Sequence, residues 1–170
     1  MKKGFTLIEL IIVMAIIGIL GTAGSFAYQS TLASARDAKR KATIKEIQTA
    51  IETYKAIHGT YPANSENDLS GWDCSDLGLS FIDPLTDDEL VKQQPKDPDI
   101  AKDPADCGYR YLYYSNTTDC GAPYYILVAH VESTGNLDVT QIPDCYPAKS
   151  YFSFPDDATH YQAFGVGDEE

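Results

Sequence analysis

At 170 residues the chain has room for one domain and an appended segment, and its net charge of −12 is spread unevenly. Residues 1–45 carry seven Lys/Arg and two acids, a balance of +5, while residues 46–170 carry six Lys/Arg and 23 acids, a balance of −17. An acidic body of this kind repels nucleic acid and anionic lipid, and its Tyr, Ile, Leu and Val content excludes a disordered tail.

The first element is apolar. Between Phe5 and Tyr28, Glu9 is the one residue that ionises. As a helix the segment is about 36 Å long, enough to cross a hydrocarbon core of about 30 Å. A cleaved secretory signal fits poorly, because the run is long, follows Lys2 and Lys3 almost at once, and lacks a convincing cleavage box at its end. A plain single-pass anchor leaves Glu9 unexplained. A carboxylate at that depth costs roughly 2.5–3.5 kcal/mol even on lenient insertion scales, so it calls for a partner.

Lys2-Lys3-Gly4, then Phe5-Thr6-Leu7-Ile8-Glu9, then the apolar run resembles the leader and mature start of type IV pilins and pseudopilins. The resemblance implies that a prepilin peptidase cuts between Gly4 and Phe5, that Phe5 is then N-methylated, and that Glu9 meets the Phe5 amine of a neighbouring subunit in a filament. A buried amine and a buried carboxylate each need such a partner. It also implies the pilin fold: an α+β chain with a long N-terminal helix on a small antiparallel sheet. Many members carry a proline within the apolar helix, whereas the first proline here is Pro62. Gly18, Gly21 and Gly24 either weaken the helix in its place or are small contact positions for close helix packing.

Topology has two conflicting signals. Arg36, Lys39, Arg40, Lys41 and Lys45 outnumber Lys2 and Lys3, so the positive-inside rule alone would put the C-terminal side in the cytoplasm. The four cysteines and the resemblance put it outside. The basic cluster contains no aromatic residue, a poor nucleic-acid signal; its expected partners are lipid headgroups before assembly and acidic neighbours such as Glu46 and Glu52 after it.

The helix is expected to continue to His58, with Ile44, Ile47, Ile51, Tyr54 and His58 as one core-facing stripe and Gly59 as the stop. The domain reading is thus a leader at 1–4, a transmembrane and polymerisation helix at 5–28, an amphipathic helix at 29–58 and an acidic globular part at 59–170. A long connection follows Gly59, in which Leu85–Val91 suggests one or two helical turns. Tyr109–Tyr114, Tyr124–Val131 and Leu137–Ile142 then read as a three-stranded antiparallel meander with a C-terminal loop behind it. Pro95-Lys96-Asp97-Pro98 ahead of the first strand is similar to major pseudopilins.

Four cysteines, Cys74, Cys107, Cys120 and Cys145, allow three disulfide pairings. Cys107 and Cys120 sit at opposite ends of the first strand, about 20–25 Å apart, whereas a disulfide needs Cα atoms within about 7 Å. Cys120–Cys145 is preferred, which leaves Cys74–Cys107. Asp97, Asp99, Asp103 and Asp106 form an acidic loop that is read as solvated; two interrupting prolines, Pro98 and Pro104, argue against a calcium site, and no metal or other cofactor is expected. Asn116-Thr117-Thr118 matches a glycosylation sequon. His58, His130 and His160 fall in no catalytic pattern, and no nucleophile elbow or phosphate loop is present, so no enzyme is expected.

The expected function is a structural subunit of a type IV pilus-like filament, with the major pseudopilin of a type II secretion system and a lone membrane-anchored binding domain as the alternatives. For the first two, the resemblance implies as partners the prepilin peptidase, identical and related subunits, the inner-membrane assembly machinery and membrane lipid. Nucleic acid is not expected. The place would be the cytoplasmic membrane, crossed once with the body outside, and afterwards an extracellular or periplasmic filament.

Overall fold

In the computed structural model the described residues are 6–64, 72–75, 81–99, 108–115, 120–147, 149–152 and 163–169. Gly4, Phe5, Cys107, Asp103, Asp106, His160 and the Asn116-Thr117-Thr118 sequon lie outside them.

One helix, α1, runs unbroken from Leu7 to His58. It ends as expected at Gly59, whose φ of 82° is the left-handed conformation glycine adopts without penalty, and whose N–H donates to the Lys55 carbonyl. Gly18, Gly21 and Gly24 do not interrupt it, and a Cβ added at any of them would have none of the described residues' atoms outside the local helix backbone within 4 Å. Hydroxyls in the apolar half are satisfied by the helix itself: Thr22 donates to the Ile19 carbonyl at 2.9 Å and Ser25 to that of Gly21 at 2.8 Å.

The distal half of α1 carries the body. Ile44, Ile47 and Ile51 are buried against the sheet, as their spacing predicts. His58 departs from that expectation. It is exposed, stacks on Tyr54 with ring centroids 4.2 Å apart, and contacts Asp88 at 2.5 Å. Asp88 caps a short helix, α2, over Asp83–Asp87.

The sheet has five strands, not three. In chain order they are β1 (Asp73–Cys74), β2 (Tyr109–Tyr114), β3 (Tyr124–His130), β4 (Asp138–Gln141) and β5 (Ala163–Glu169), arranged β1-β2-β3-β5-β4. The expected pairing of β2 with β3 is present, Tyr109 opposite Ala129 through Tyr114 opposite Tyr124. The expected pairing of the third strand with β3 is not. The C-terminal stretch, read as loop, is β5: it inserts antiparallel to β3 and parallel to β4, making the sheet mixed.

Both faces of β3 are covered. Tyr125, Leu127 and Ala129 join Ile44, Ile47 and Ile51 in one core; Tyr124, Ile126 and Val128 join Val139, Ile142 and Phe152 in a second. A Cys120–Cys145 disulfide with Cα atoms 5.0 Å apart closes this second layer. The preferred pairing stands although the meander does not, because β4 still runs antiparallel to β3 and so heads toward the end at which β3 begins. Cys74 is also disulfide-bonded; the partner expected for it, Cys107, lies outside the described residues.

Gly167 sits where that layer presses closest on β5. A Cβ there would lie 2.5 Å from the Tyr125 carbonyl oxygen and 2.9 Å from Pro143, and one contact is backbone that cannot swing away. Gly167→Ala is expected to destabilise the body by roughly 1–3 kcal/mol, read as a lower urea midpoint by Trp72 fluorescence. An unchanged midpoint would show that β5 is not held in this register.

Buried phenols tie the helix end to the sheet. Tyr111 donates to the Pro62 carbonyl at 2.5 Å and Tyr125 to Glu52 at 3.0 Å. Burial pushes both phenols above their ordinary value, so they remain donors. Tyr61 accepts from Lys55 at 2.9 Å and donates to Asp168 on β5 at 3.2 Å.

Candidate assembly site

The N-terminus of α1 holds Glu9 in a local structure that the sequence reading did not name. Thr6 is the N-cap, with extended backbone (φ −81°, ψ 152°). Its backbone N–H donates to Glu9 Oε2 at 2.8 Å and its hydroxyl donates to the same oxygen at 2.7 Å, while the Glu9 N–H returns to the Thr6 hydroxyl at 3.4 Å. This is a capping box, whose Thr-x-x-Glu spacing is present in the sequence. Glu9 also stands in the first turn, where the helix dipole favours negative charge. Both donors use Oε2; Oε1 makes no hydrogen bond to a described residue.

Around and beyond Glu9 the helix is bare. Leu7, Ile8, Leu10 to Val13, Ile16, Ile17, Ile19 and Leu20 are all exposed. The helix contains an 18-residue window of mean hydropathy 2.4, none of it buried, which by length and composition is enough to cross a membrane. An apolar surface of this extent needs lipid or other helices around it.

The body is fastened just beyond this segment by an ionic cluster. Arg40 donates through two nitrogens to Asp97, both at 2.7 Å, and through Nη1 to Asp37 at 2.9 Å and Glu132 at 2.8 Å. Arg36 forks onto both Glu132 oxygens and lies 3.4 Å from Asp99. The cluster sets four carboxylates against two guanidiniums. Asp37 offsets part of that imbalance by accepting from the N–H groups of Glu132 and Ser133 at 2.9 and 3.0 Å and from the Asn136 amide at 2.9 Å.

Two sequence expectations change here. Within the chain, two members of the basic cluster, Arg36 and Arg40, turn inward to acids far along the chain and are not open to lipid headgroups or to a neighbour. Lys41 and Lys45 lie 5.1 and 5.9 Å from the centre of the Phe164 ring and donate to Asn136 and Gln141. Nor is Asp97 solvated; its side chain is 7 % exposed against Arg40, and Asp99 pairs with Arg36. The physical reason is that burying Arg40 demands carboxylate partners, and the 97–99 segment supplies them. A signal was available: Asp37 and Arg40 precede Ile44, Ile47 and Ile51 at the same 3, 4, 3, 4 spacing, so the buried stripe begins with charges.

Protonation follows from this geometry. The Arg36 fork holds the Glu132 carboxyl down from 4.5 to about 2, helped by Arg40 against the cost of burial. Burial raises Asp97, but its bonds to Arg40 outweigh that and leave it below its ordinary value. Both groups are depressed in the folded state, so they stabilise fully above their unfolded values and lose that stabilisation as pH falls through the folded ones. In detergent, the full chain should hold its urea midpoint from pH 7 down to about 5 and lose stability between about 4.5 and 2. Glu132→Gln should be less stable at neutral pH and should flatten this acid limb. An acid limb of equal steepness in the variant would contradict it.

A bare apolar helix, capped at its start by a Thr–Glu box and carrying a disulfide-closed α+β body, fits membrane anchoring and packing among other apolar helices. Comparison with known proteins agrees. The family described as the prokaryotic N-terminal methylation motif matches residues 1–25. The chain is 34% identical over 86 residues to a type IV major pilin, PilE1, of Neisseria gonorrhoeae, covering 51% of this chain and 40% of that protein. It is 40% identical over 65 residues to a fimbrial protein of Neisseria meningitidis serogroup A, 38% of each chain. It is 45% identical over 53 residues to the type IV major fimbrial protein FimA of Dichelobacter nodosus, 31% of this chain and 34% of that one. The chain thus spans about two-fifths or less of the length of these relatives. No solved structure matches it. Over its N-terminal part the chain is similar to type IV pilins and carries their N-terminal methylation motif.

Proposed function

We propose that the chain is a structural subunit of a type IV pilus-like filament: it is inserted in the membrane, cut by a prepilin peptidase between Gly4 and Phe5, N-methylated at Phe5 and polymerised through its apolar helix. The observation that carries this reading is the capped Glu9 on an otherwise bare apolar helix. Thr6 occupies Oε2 and leaves Oε1 for a donor from outside the chain. The Phe5 amine of a neighbouring subunit is a donor of the right charge, and pairing removes the cost of burying either group alone.

The body is assigned to the outside of the membrane. Its disulfide needs an oxidising compartment. The ion pairs of Arg36 and Arg40 also remove two of the five positive charges that oppose this orientation. The pilin and fimbrial names of the relatives favour a pilus over a secretion pseudopilus, and nothing in those names points to an enzyme. Imaging of cells that make the chain should show surface fibres that disappear when its gene is deleted. Normal fibres after deletion would contradict a structural role in them, and a chain that stays wholly in the membrane fraction would favour the lone anchored domain.

A further inference from the structure

The body carries two sets of charges that the ionic cluster does not use, at different heights along α1. One set lines a groove of about 710 Å³ between the helix and the segment after α2, with Lys39, Thr43 and Glu46 on the helix wall and Gln93, Gln94 and Lys96 opposite. Lys39 and Lys96 are exposed and, among the described residues, make no ion pair; with Glu46 the groove is net positive. The other set is the tip of α2, where Asp87 and Glu89 are exposed and equally unpaired. The neighbouring Asp88, in contact with His58 at 2.5 Å, fixes this tip at the level of the helix end. From Lys39 to His58 the helix rises about 28 Å.

We propose, resting on the filament reading above, that the groove receives the α2 tip of a second copy of this chain. Lys39 and Lys96 of one subunit then face Asp87 and Glu89 of the next. The two patches are different, so the contact is head-to-tail; with the copies staggered along the helix axis it propagates into an open filament instead of a ring. It is continuous with the helix contact, since Lys39, Thr43 and Glu46 stand on the same α1 that buries its apolar half among neighbours. The two copies would be staggered along the helix axis by up to about 28 Å. Opposite charges set this register and like charges would forbid it.

The test is charge exchange in the full chain, expressed in its own cells, with sheared filament measured relative to membrane-bound subunit. Lys39→Glu with Lys96→Glu, or Asp87→Lys with Glu89→Lys, should each lower filament yield roughly tenfold. All four substitutions together should restore most of it. The four side chains are exposed, and retention of the Cys120–Cys145 disulfide in the membrane pool reports that the body has folded. Wild-type yield from either double variant, or a quadruple variant as deficient as the doubles, would overturn the docking while leaving the filament reading intact. Absence of filaments from the wild-type chain would instead remove the filament reading on which the docking rests.

Discussion

Arg40→Ala should cost the body about 3–5 kcal/mol, the range for breaking a buried ion pair from one side. The guanidinium is 4 % exposed and touches three carboxylates, of which Asp37 is 0 %, Glu132 5 % and Asp97 7 % exposed. Glu132 keeps Arg36 and Asp37 keeps its backbone donors, but Asp97 would lose both of its guanidinium bonds while still buried. Relative to a total stability of about 5–15 kcal/mol for a typical domain, the loss is large. Arg40→Lys should recover only part of it, because an ammonium cannot reproduce the planar fork onto Asp97. The measurement is urea unfolding of the full chain in detergent, followed by the fluorescence of Trp72, the single tryptophan. Trp72 packs edge-on to Phe152 at 5.8 Å, so it reports loss of the second layer. A change below about 1 kcal/mol, the value of an exposed pair, would show that the cluster is open to water.

The second large effect is on assembly. Glu9→Ala should leave the body folded, because among the described residues the Glu9 side chain hydrogen-bonds only to Thr6, and should ease membrane insertion by removing a charge. Losing the cap costs the helix end about 1 kcal/mol, too little to detach the subunit. Filament yield should nevertheless fall away, since each incoming Phe5 amine would be buried without a carboxylate, at a cost of several kcal/mol. Glu9→Gln separates the two roles. Glutamine preserves the capping geometry but carries no charge, so it too should fail to assemble. Normal filaments from Glu9→Gln would mean that the cap matters and the charge does not; normal filaments from Glu9→Ala would remove both roles. Adding wild-type subunits should rescue either variant in part, because each supplies a carboxylate.

What the sequence made legible follows from the range of the forces involved. The helix could be read because its signals are local: an apolar run, the 3, 4, 3 spacing of Ile44, Ile47 and Ile51, and Gly59 at the stop. β2 and β3 were legible as dense Tyr, Ile, Leu and Val runs. β5 was not, because Ala-Phe-Gly-Val-Gly-Asp-Glu has two glycines and two terminal acids and little strand preference of its own. It is a strand because β3 and β4 flank it and because Gly165 and Gly167 let Ile142 and Pro143 press against it.

The candidate site divides in the same way. Glu9 stands out because a lone carboxylate in an apolar run is costly wherever the chain folds, and its Thr6 cap was readable from the spacing. The Arg40 cluster joins residues separated by 57 and 92 positions, and no local pattern names Asp97 or Glu132 as its partners. Only the placement of Asp37 and Arg40 on the buried stripe says that something must pair with them.

The reading of this chain as a processed filament subunit is tested most directly by the N-terminal peptide of protein sheared from the cell surface, identified by mass spectrometry. The peptide should begin at Phe5 and carry one added methyl group on its amine. A peptide that still begins at Met1 and runs through Gly4 into Phe5 would contradict cleavage, and with it the amine that Glu9 is proposed to meet.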